Sequence, residues 1–380
     1  MIFFCLVAAT PQPLPGEYMS AHIRDLTATV QQNCHISDAR YARDYTLCIY
    51  LLKMREYYRW EKGYGYEDPL PAKDLGDWIQ EREQLWQQVE SKSFLPIPID
   101  GRQYDPFDVE GINRRLLPQG FIYSAGLGRY AKPHFFVGRL LRQESRDGLS
   151  VLISSEELAR DLVSPPAANL AQTIFIRRDS IRRMLWEKIE EWRWRKQENA
   201  MARAVHCYGF AQDATSALEE MTNRETESVV LHELGEAQAE KLLGTAWQDM
   251  LAAVARTKAE MIVRAVRDHL ADCLSTLPAL LAHENAASLH FYFANLEGLR
   301  KKLFPELTTA YQRWVNGADL TVLMQTVEQG RERWLRTARA IIEQHQNGRR
   351  HCAAAIEDLV RGCQVICVTD FKPAPARRTE

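Results

Sequence analysis

The chain lacks the short motifs that identify several common enzyme classes. Its 380 residues contain no C-x-x-C pair, no G-x-S-x-G sequence and no G-x-x-x-x-G-K-[ST] loop. These absences exclude a C-x-x-C zinc site, the nucleophile elbow of the α/β-hydrolases and the phosphate-binding loop of P-loop nucleotidases. Any catalytic site must therefore be assembled from residues that lie far apart in the sequence.

The chain also has little excess charge and few cysteines. Its net charge is −2, so overall electrostatic attraction to nucleic acid or to an anionic membrane is not expected. The eight cysteines are scattered along the chain, which is typical of reduced thiols in a cytoplasmic protein. We therefore expect a cytoplasmic protein without nucleic-acid or membrane partners, and the sequence leaves homo-oligomer formation open.

Long apolar runs are absent as well. Residues 1–10 are apolar, but this run is too short to span a bilayer and no basic segment precedes it. Met19 follows a proline-rich stretch and precedes a polar segment. We interpret residues 1–18 as a non-native or disordered leader, with Met19 as the native start.

The residues that are present predict a mainly α protein of the α+β class. Apolar residues recur at helical spacing over 20–62 and again from Asp179 onward, whereas 94–178 is rich in proline, glycine and β-branched residues. We expect a helical bundle with a small inserted antiparallel β-sheet. The expected segments are the leader (1–18), an N-terminal helical segment (19–93), an α+β segment (94–178), a C-terminal helical bundle (179–368) and a disordered tail (369–380).

The individual elements follow from the same patterns. Short strands are predicted at 121–124, 134–142, 149–154 and 173–176, with helices at 109–117 and 155–163 beside them. Helices are predicted near 198–208, 212–222, 224–243, 246–281, 285–302, 305–315 and 319–346.

Metal-binding side chains recur at helical spacing between residues 225 and 290. The candidates are Glu225, His232, Glu233, Glu236, His269, Asp272 and His290. Residues four or seven apart lie on one side of a helix, so Glu225, His232 and Glu236 share a face. The two later histidines belong to two further predicted helices. Three helices can therefore direct imidazole and carboxylate groups toward one point.

This combination of side chains predicts a divalent metal ion inside the bundle, because helix bundles build such sites from inward-facing Glu and His. Imidazole with carboxylate suits Zn, Fe or Mn. The predicted ligands are His232, Glu236, His269 and His290, with Glu225 and Asp272 as further ligands or as acceptors that orient an imidazole. Glu233 is the predicted general base if the site activates water. We expect no organic cofactor.

Two known metal motifs partly match residues 232–236. The zincin pattern H-E-x-x-H is broken, because Glu236 replaces its second histidine. The HD phosphohydrolases have a His-Asp dyad in a similar setting, but Glu233 stands where their aspartate is expected; His206 and either Asp268 or Asp272 are available as further ligands. In the alternative interpretation, Glu225 and Glu236 are solvated and His232 is a hydrogen-bonded core imidazole.

Two other groups of residues carry side chains that could bind a ligand. Cys34, His35, Asp38, Asp44 and Cys48 could bind a metal, although a helix start with Asp38 near its N-terminus explains them without one and is the preferred interpretation. The turn 124–132 contains Gly126, Gly128, Arg129 and Lys132 and could bind an anion, although such glycines between strands are typical of a hairpin.

Several segments resemble an uncharacterised proteobacterial protein family. They are 33–40 (NCHISDAR), 51–62 (LLKMREYYRWEK), 98–102 (PIDGR), 133–136 (PHFF) and 231–236 (LHELGE), and the similarity covers about 20–315. The resemblance implies a bacterial cytoplasmic protein that starts near Met19, and it implies no mechanism. Our leading hypothesis is a His/carboxylate metalloprotein of unknown reaction. The alternatives are a non-catalytic helical interaction protein and an HD-like metal-dependent phosphohydrolase.

Overall fold

The computed structural model describes residues 21–128, 131–255 and 257–347, together with Ala354, Ile356 and Asp358. The predicted leader 1–18, the predicted start at Met19 and the predicted tail 369–380 lie outside the described residues. Within those ranges the protein is mainly α-helical with a smaller β component, as the sequence predicts. None of the helices in them is both long and apolar enough to cross a membrane.

The N-terminal part contains three helices followed by a two-stranded ribbon and a short helix. They are α1 (Ala21–Tyr41), α2 (Leu47–Lys62), α3 (Ala72–Val89), β1 (Ile97–Ile99), β2 (Arg102–Tyr104) and α4 (Val109–Leu116). Helices α1, α2 and α3 share an aromatic core around Tyr57, Trp78 and Trp86. Helix α1 also contacts β1 and the two longest strands of the main sheet, Pro133–Arg146 and Leu149–Arg160, so this helix joins the N-terminal core to the sheet.

The main sheet has five strands in the order β3-β4-β5-β7-β6. They are β3 (Phe121–Leu127), β4 (Pro133–Arg146), β5 (Leu149–Arg160), β6 (Ala167–Leu170) and β7 (Thr173–Arg177). The prediction of a purely antiparallel sheet is wrong, because β5 and β7 pair in parallel. After β5 the chain first forms the edge strand β6. It then turns back as β7, which lies between β5 and β6 and pairs with both.

The predicted helix 155–163 is also wrong, because β5 continues to Arg160. The residues Ser-Glu-Glu-Leu-Ala-Arg favour a helix locally, but Glu157 and Ala159 pair with Gly138 and Val137 of β4. Both residues are buried there. Long-range strand pairing and burial therefore override the local helix preference.

The C-terminal part is a helical bundle. Its helices are α5 (Arg178–Arg195), α6 (Ala200–Tyr208), α7 (Ala214–Leu243), α8 (Thr245–Ala253), α9 (Lys258–Ala271), α10 (Leu277–Ala282), α11 (Ala286–Asn295), α12 (Gly298–Leu303), α13 (Pro305–Val315) and α14 (Thr321–Asn347). The two helices predicted at 212–222 and 224–243 are one helix of 30 residues, α7. The helix predicted at 246–281 is divided among α8, α9 and α10.

A π-helical turn, Asp272–Thr276, connects α9 to α10. Pro278 in the first turn of α10 has no backbone N–H, so the regular α-helical hydrogen bond to Leu274 cannot form there. Such turns are frequent at functional sites because they redirect side chains within a continuous helix. Asp272, at the start of this turn, is brought against α7.

Glycine allows α7 and α9 to approach closely beside that turn. A Cβ atom built on Gly235 would lie 2.3 Å from the carbonyl oxygen of Ala271. No side chain fits at this distance, so Gly235 is required for the contact. A similar approach occurs at Gly330 of α14, where a Cβ atom would lie 2.6 Å from the Phe304 ring.

We predict that Gly235→Ala destabilises the protein by about 1–3 kcal/mol, since the two helices must separate to admit the methyl group. The matched control is Gly76→Ala in the exposed part of α3, where no atom lies within 4 Å of the added Cβ. That change should stabilise the protein by about 0.5–1 kcal/mol through helix propensity. Urea denaturation of both variants measures the difference, and equal effects would contradict the close contact at Gly235.

Candidate metal centre

The imidazole of His232 is held by a buried carboxylate. His232 lies near the middle of α7, and its Nδ1 donates a hydrogen bond to Asp272 Oδ1 at 2.7 Å. Gly235, less than one helical turn further along α7, permits this distance because it brings the α9 end against α7. The hydrogen bond leaves Nε2 as the ring nitrogen that faces Glu236, at 3.5 Å from its carboxylate.

Asp272 is the shared acceptor of this region. Its Oδ1 also accepts from Thr276, at 3.2 Å, and its Oδ2 accepts from Tyr292, at 2.8 Å, and from Arg300. Burial alone would raise the pKa of the carboxyl group, but the charges of Arg300 and His232 outweigh it and hold the pKa well below its usual value. The group is therefore an ionised acceptor at neutral pH.

Three potential ligand atoms meet next to His232. One atom each from His232, Glu236 and Asp268 lie within 4.8 Å of one another. Among the residues that the structure describes, this is the group of His, Cys, Asp and Glu that could hold a metal ion. All three side chains are partly exposed, so an ion can reach them from solvent.

Cationic side chains balance the acidic groups of the cluster. Arg267 lies 2.5 Å from Glu236 and 3.6 Å from Asp268. Burial lowers the pKa of His232, but the charge and hydrogen bond of Asp272, with a further contribution from Glu236, raise it well above its usual value. The imidazole is therefore protonated when no metal is bound.

Glu233 belongs to the same electrostatic environment. Burial raises its pKa to about 7, and the Glu236 carboxylate adds to the rise, whereas His232 and Arg267 oppose it. Helical spacing alone would direct this side chain toward Ala237 and Glu240, but its electrostatic partners are residues of the cluster: His232, Glu236, Arg267 and Asp268. A carboxyl group with a pKa close to neutral can accept or release a proton under physiological conditions.

Glu225 lies away from the cluster. Its carboxylate is buried and accepts hydrogen bonds from Tyr208 at 2.6 Å and from Ser288 at 2.8 Å. Burial raises its pKa. The expectation that Glu225 shares a site with His232 does not agree with these contacts, because seven residues of α7 separate the two side chains along the helix axis.

His269 and His290 also lie in other surroundings. His269 is buried, donates from Nε2 to the Arg300 carbonyl oxygen at 2.9 Å and stacks on Trp334. His290 lies 2.9 Å from the Tyr311 hydroxyl through Nδ1 and stacks on Trp314. Burial lowers the pKa of His269 to about 3 and that of His290 to about 4, with smaller contributions from neighbouring arginines. The expectation that His232, His269 and His290 converge on one metal ion is therefore corrected: each has its own partners.

Sequence reasoning missed the residues that complete the site. The sequence patterns indicated Asp268 only as a further ligand of an HD-like site, and they did not indicate Arg267, Tyr292 or Arg300. The spacing of Asp268 and Asp272, four residues apart, would have placed both on one helix face. No sequence signal identifies Arg300, because it reaches Asp272 from a separate short helix.

The N-terminal candidates have structural partners instead of a common site. Cys34 is buried with its thiol 3.2 Å from the Phe135 carbonyl oxygen, and Arg82 lies 2.7 Å from His35 Nε2. Lys132, considered for anion binding, is buried and lies 2.7 Å from Asp38. Arg129, the other cation of that turn, lies outside the described residues.

A second network of buried charges, which the sequence did not predict, lies beneath the sheet. Glu157 accepts from Arg177 at 2.8 Å and from Ser180 at 2.6 Å, and Arg160 lies 3.5 Å from it. Burial opposes its ionisation, but the charges of the surrounding arginines lower the pKa of Glu157 to about 2. The network joins β5, β7 and α5, which is a structural role.

Comparisons with known proteins identify a family but no function for this chain. The chain has no match among curated proteins and none among solved structures. Two family models match it: the N-terminal domain of a family of unknown function (DUF6866) over residues 25–177, and the C-terminal domain of the same family over residues 182–362. The resemblance to an uncharacterised family is confirmed, and the chain belongs to this family of unknown function.

Proposed function

We propose that the protein binds one divalent metal ion between α7 and α9. The ligands are Nε2 of His232 and one carboxylate oxygen each from Glu236 and Asp268. The observation that carries the proposal is the 2.7 Å hydrogen bond from His232 Nδ1 to Asp272. A carboxylate on the second ring nitrogen is the usual companion of a metal-ligating histidine, because it fixes the ring orientation and increases the basicity of the ligand.

The spacing of the ligand atoms suits this role. Two ligands that bind zinc at about 2.0–2.2 Å lie at most about 4.4 Å apart. The three atoms lie within 4.8 Å of one another, so side-chain movements of a few tenths of an ångström would bring them to coordination distance from one ion. One imidazole with two carboxylates suits Zn, Mn or Fe.

In the absence of an ion, protonated His232 and Arg267 balance the carboxylates of the cluster, and ion binding would change both interactions. The ion takes the place of the proton on His232 Nε2, so that binding releases a proton. It also competes with Arg267 for Glu236, which leaves Arg267 paired with the second oxygen of Glu236 or with Asp268. The positive charge beside the two carboxylates therefore rises by one, from the charges of protonated His232 and Arg267 to those of the ion and Arg267.

The proposed chemistry is metal-assisted hydrolysis. Three protein ligands would leave coordination positions open for water, and a divalent ion held there would lower the pKa of that water. Glu233 would be the base for such a water, because its carboxyl group interacts electrostatically with His232, Glu236 and Asp268 and has a pKa of about 7. With iron as the ion, the same ligands would suit oxidation chemistry, so metal identity decides between the two classes.

The HD-like alternative has less support from the geometry. Its dyad needs an aspartate where Glu233 stands, and its upstream histidine would be His206. His206 is exposed on α6 and is not one of the three residues whose ligand atoms meet. In the non-catalytic alternative, no metal binds, and the same side chains form an ion-pair network that joins α7, α9 and α12.

We further propose that the protein is bacterial and cytoplasmic. The proposal of a bacterial origin rests on the sequence resemblance described above. The proposed location is supported by the free thiols of the described cysteines, Cys34, Cys48, Cys207 and Cys273. Free thiols are typical of reducing compartments.

We predict that the purified protein binds one equivalent of Mn²⁺, Fe²⁺ or Zn²⁺, measured by calorimetry under anaerobic conditions and by elemental analysis. His232→Ala should abolish stoichiometric binding, because it removes the nitrogen ligand and the group that Asp272 orients. Two control variants, His206→Ala and His290→Gln, should retain it. Loss of metal in His206→Ala would favour the HD-like alternative, and metal-free wild-type protein would support the ion-pair network.

A second prediction separates metal binding from stability at Asp268. Burial raises the pKa of this carboxyl group, so its ionised form is disfavoured in the folded protein. Asp268→Asn should therefore weaken metal binding by more than tenfold, as expected for a ligand, without lowering the melting temperature of the metal-free protein. A decrease in that melting temperature would show that Asp268 stabilises the fold instead.

Asp272→Asn should reduce both metal affinity and the stability of the metal-free protein. We expect metal affinity to fall about 10–100-fold, because the orienting carboxylate is lost. The metal-free protein should lose about 3 kcal/mol of stability, because Arg300 and His232 lose their ionised partner in a buried site. Denaturation with and without metal measures both quantities. Unchanged stability would contradict the central position of Asp272.

A further inference from the structure

The start of α2 is apolar on all sides, and five of its first six residues are exposed in the described chain. Residues 47–52 read Leu-Cys-Ile-Tyr-Leu-Leu, and we call them the apolar turn. Successive helical residues are about 100° apart, so these six side chains point in every direction around the helix. Leu47 is 70% exposed and Leu52 is 50% exposed. The buried residues of α2 begin only at Met54.

This concentration of exposed apolar side chains distinguishes the apolar turn from the rest of the surface. Four of the twelve large exposed hydrophobic residues found in the described ranges lie within it. The others occur singly or in distant parts of the chain. A helix that is apolar all round is normally buried, and a contiguous apolar patch marks an interaction site.

A groove lies directly beside the apolar turn. It has a volume of about 330 Å³, and its apolar lining consists of Ala39, Ala42, Tyr45, Leu47, Tyr50 and Trp86. Leu47 and Tyr50 belong both to the groove and to the apolar turn. The surface therefore presents an apolar projection and an apolar recess side by side.

The charges at the rim of the groove have both signs. Arg43 is 78% exposed and lies 3.7 Å from Glu90, while Glu83 accepts a hydrogen bond from the Tyr50 hydroxyl at 2.9 Å. A surface that carries a cation and two carboxylates around an apolar centre can pair with a copy of itself. An anionic membrane would instead be repelled by Glu83 and Glu90.

We propose that the protein forms a two-fold symmetric dimer in which the apolar turn of each copy enters the groove of the other. An interface of this kind uses the same patch on both subunits, so it needs a surface that contains both halves of the contact. The apolar turn and the groove provide these halves, and Arg43 of each copy faces the acidic rim of its partner. The proposal does not depend on the metal site.

The test is sedimentation velocity of the full chain over a wide range of protein concentration. The wild-type protein should be a dimer. The double variant Leu47→Glu/Leu52→Glu should raise the dimer dissociation constant by about a hundredfold or more, because charged carboxylates would be buried in the contact. Both positions are exposed, so the melting temperature of the subunit should be unchanged.

The matched control is Leu242→Glu/Met324→Glu. It adds the same charge at two helical positions that are 46% and 41% exposed, and it should leave the dimer intact. Hydrogen–deuterium exchange at high and low protein concentration should show protection of residues 43–54 and 83–90. A monomeric wild-type protein, a dimer unaffected by the double variant, or protection elsewhere would refute the proposal. Sedimentation of a monomeric wild-type protein with phosphatidylglycerol vesicles, lost in the double variant, would refute it in favour of a membrane surface.

Discussion

The ionised carboxylate of Asp272 is the interaction on which the candidate site depends. It accepts hydrogen bonds from a histidine of α7, a threonine of its own π-helical turn, a tyrosine of α11 and an arginine of α12. Four donors compensate for the loss of water around a buried negative charge. Because these donors come from four elements, a single carboxylate fixes both the packing of the bundle and the orientation of the His232 ring.

That carboxylate reaches His232 only because the two helices are in close contact. Gly235 removes the side chain that would otherwise meet the Ala271 carbonyl group, and the π-helical turn directs Asp272 toward α7. The segment His-Glu-Leu-Gly-Glu therefore combines two functions within five residues: the outer residues supply possible ligands, and the glycine supplies the space that brings them to their acceptor. A larger residue at this position would separate the helices and change the site together with the fold.

The sequence was sufficient for the parts of the structure that depend on local patterns. The helical periodicity predicted most helices, and the segments rich in β-branched and aromatic residues predicted β3, β4, β5 and β7. The helix expected at 155–163 failed because Glu157 and Ala159 are held by pairing with β4, which no local pattern reports. At the candidate site, helical spacing placed His232 and Glu236 on one face of α7, whereas the positions of His269, His290 and Arg300 depend on how separate helices pack.

The central claim is that His232, Glu236 and Asp268 bind one divalent ion, with Asp272 orienting the histidine. The most direct test is a crystal structure of the protein grown with Mn²⁺, with anomalous difference density calculated at the manganese edge. We predict a single strong peak next to His232 Nε2, in contact with one oxygen each of Glu236 and Asp268, while the His232–Asp272 hydrogen bond is retained. The absence of a peak there, with Arg267 still paired with Glu236, would contradict the account.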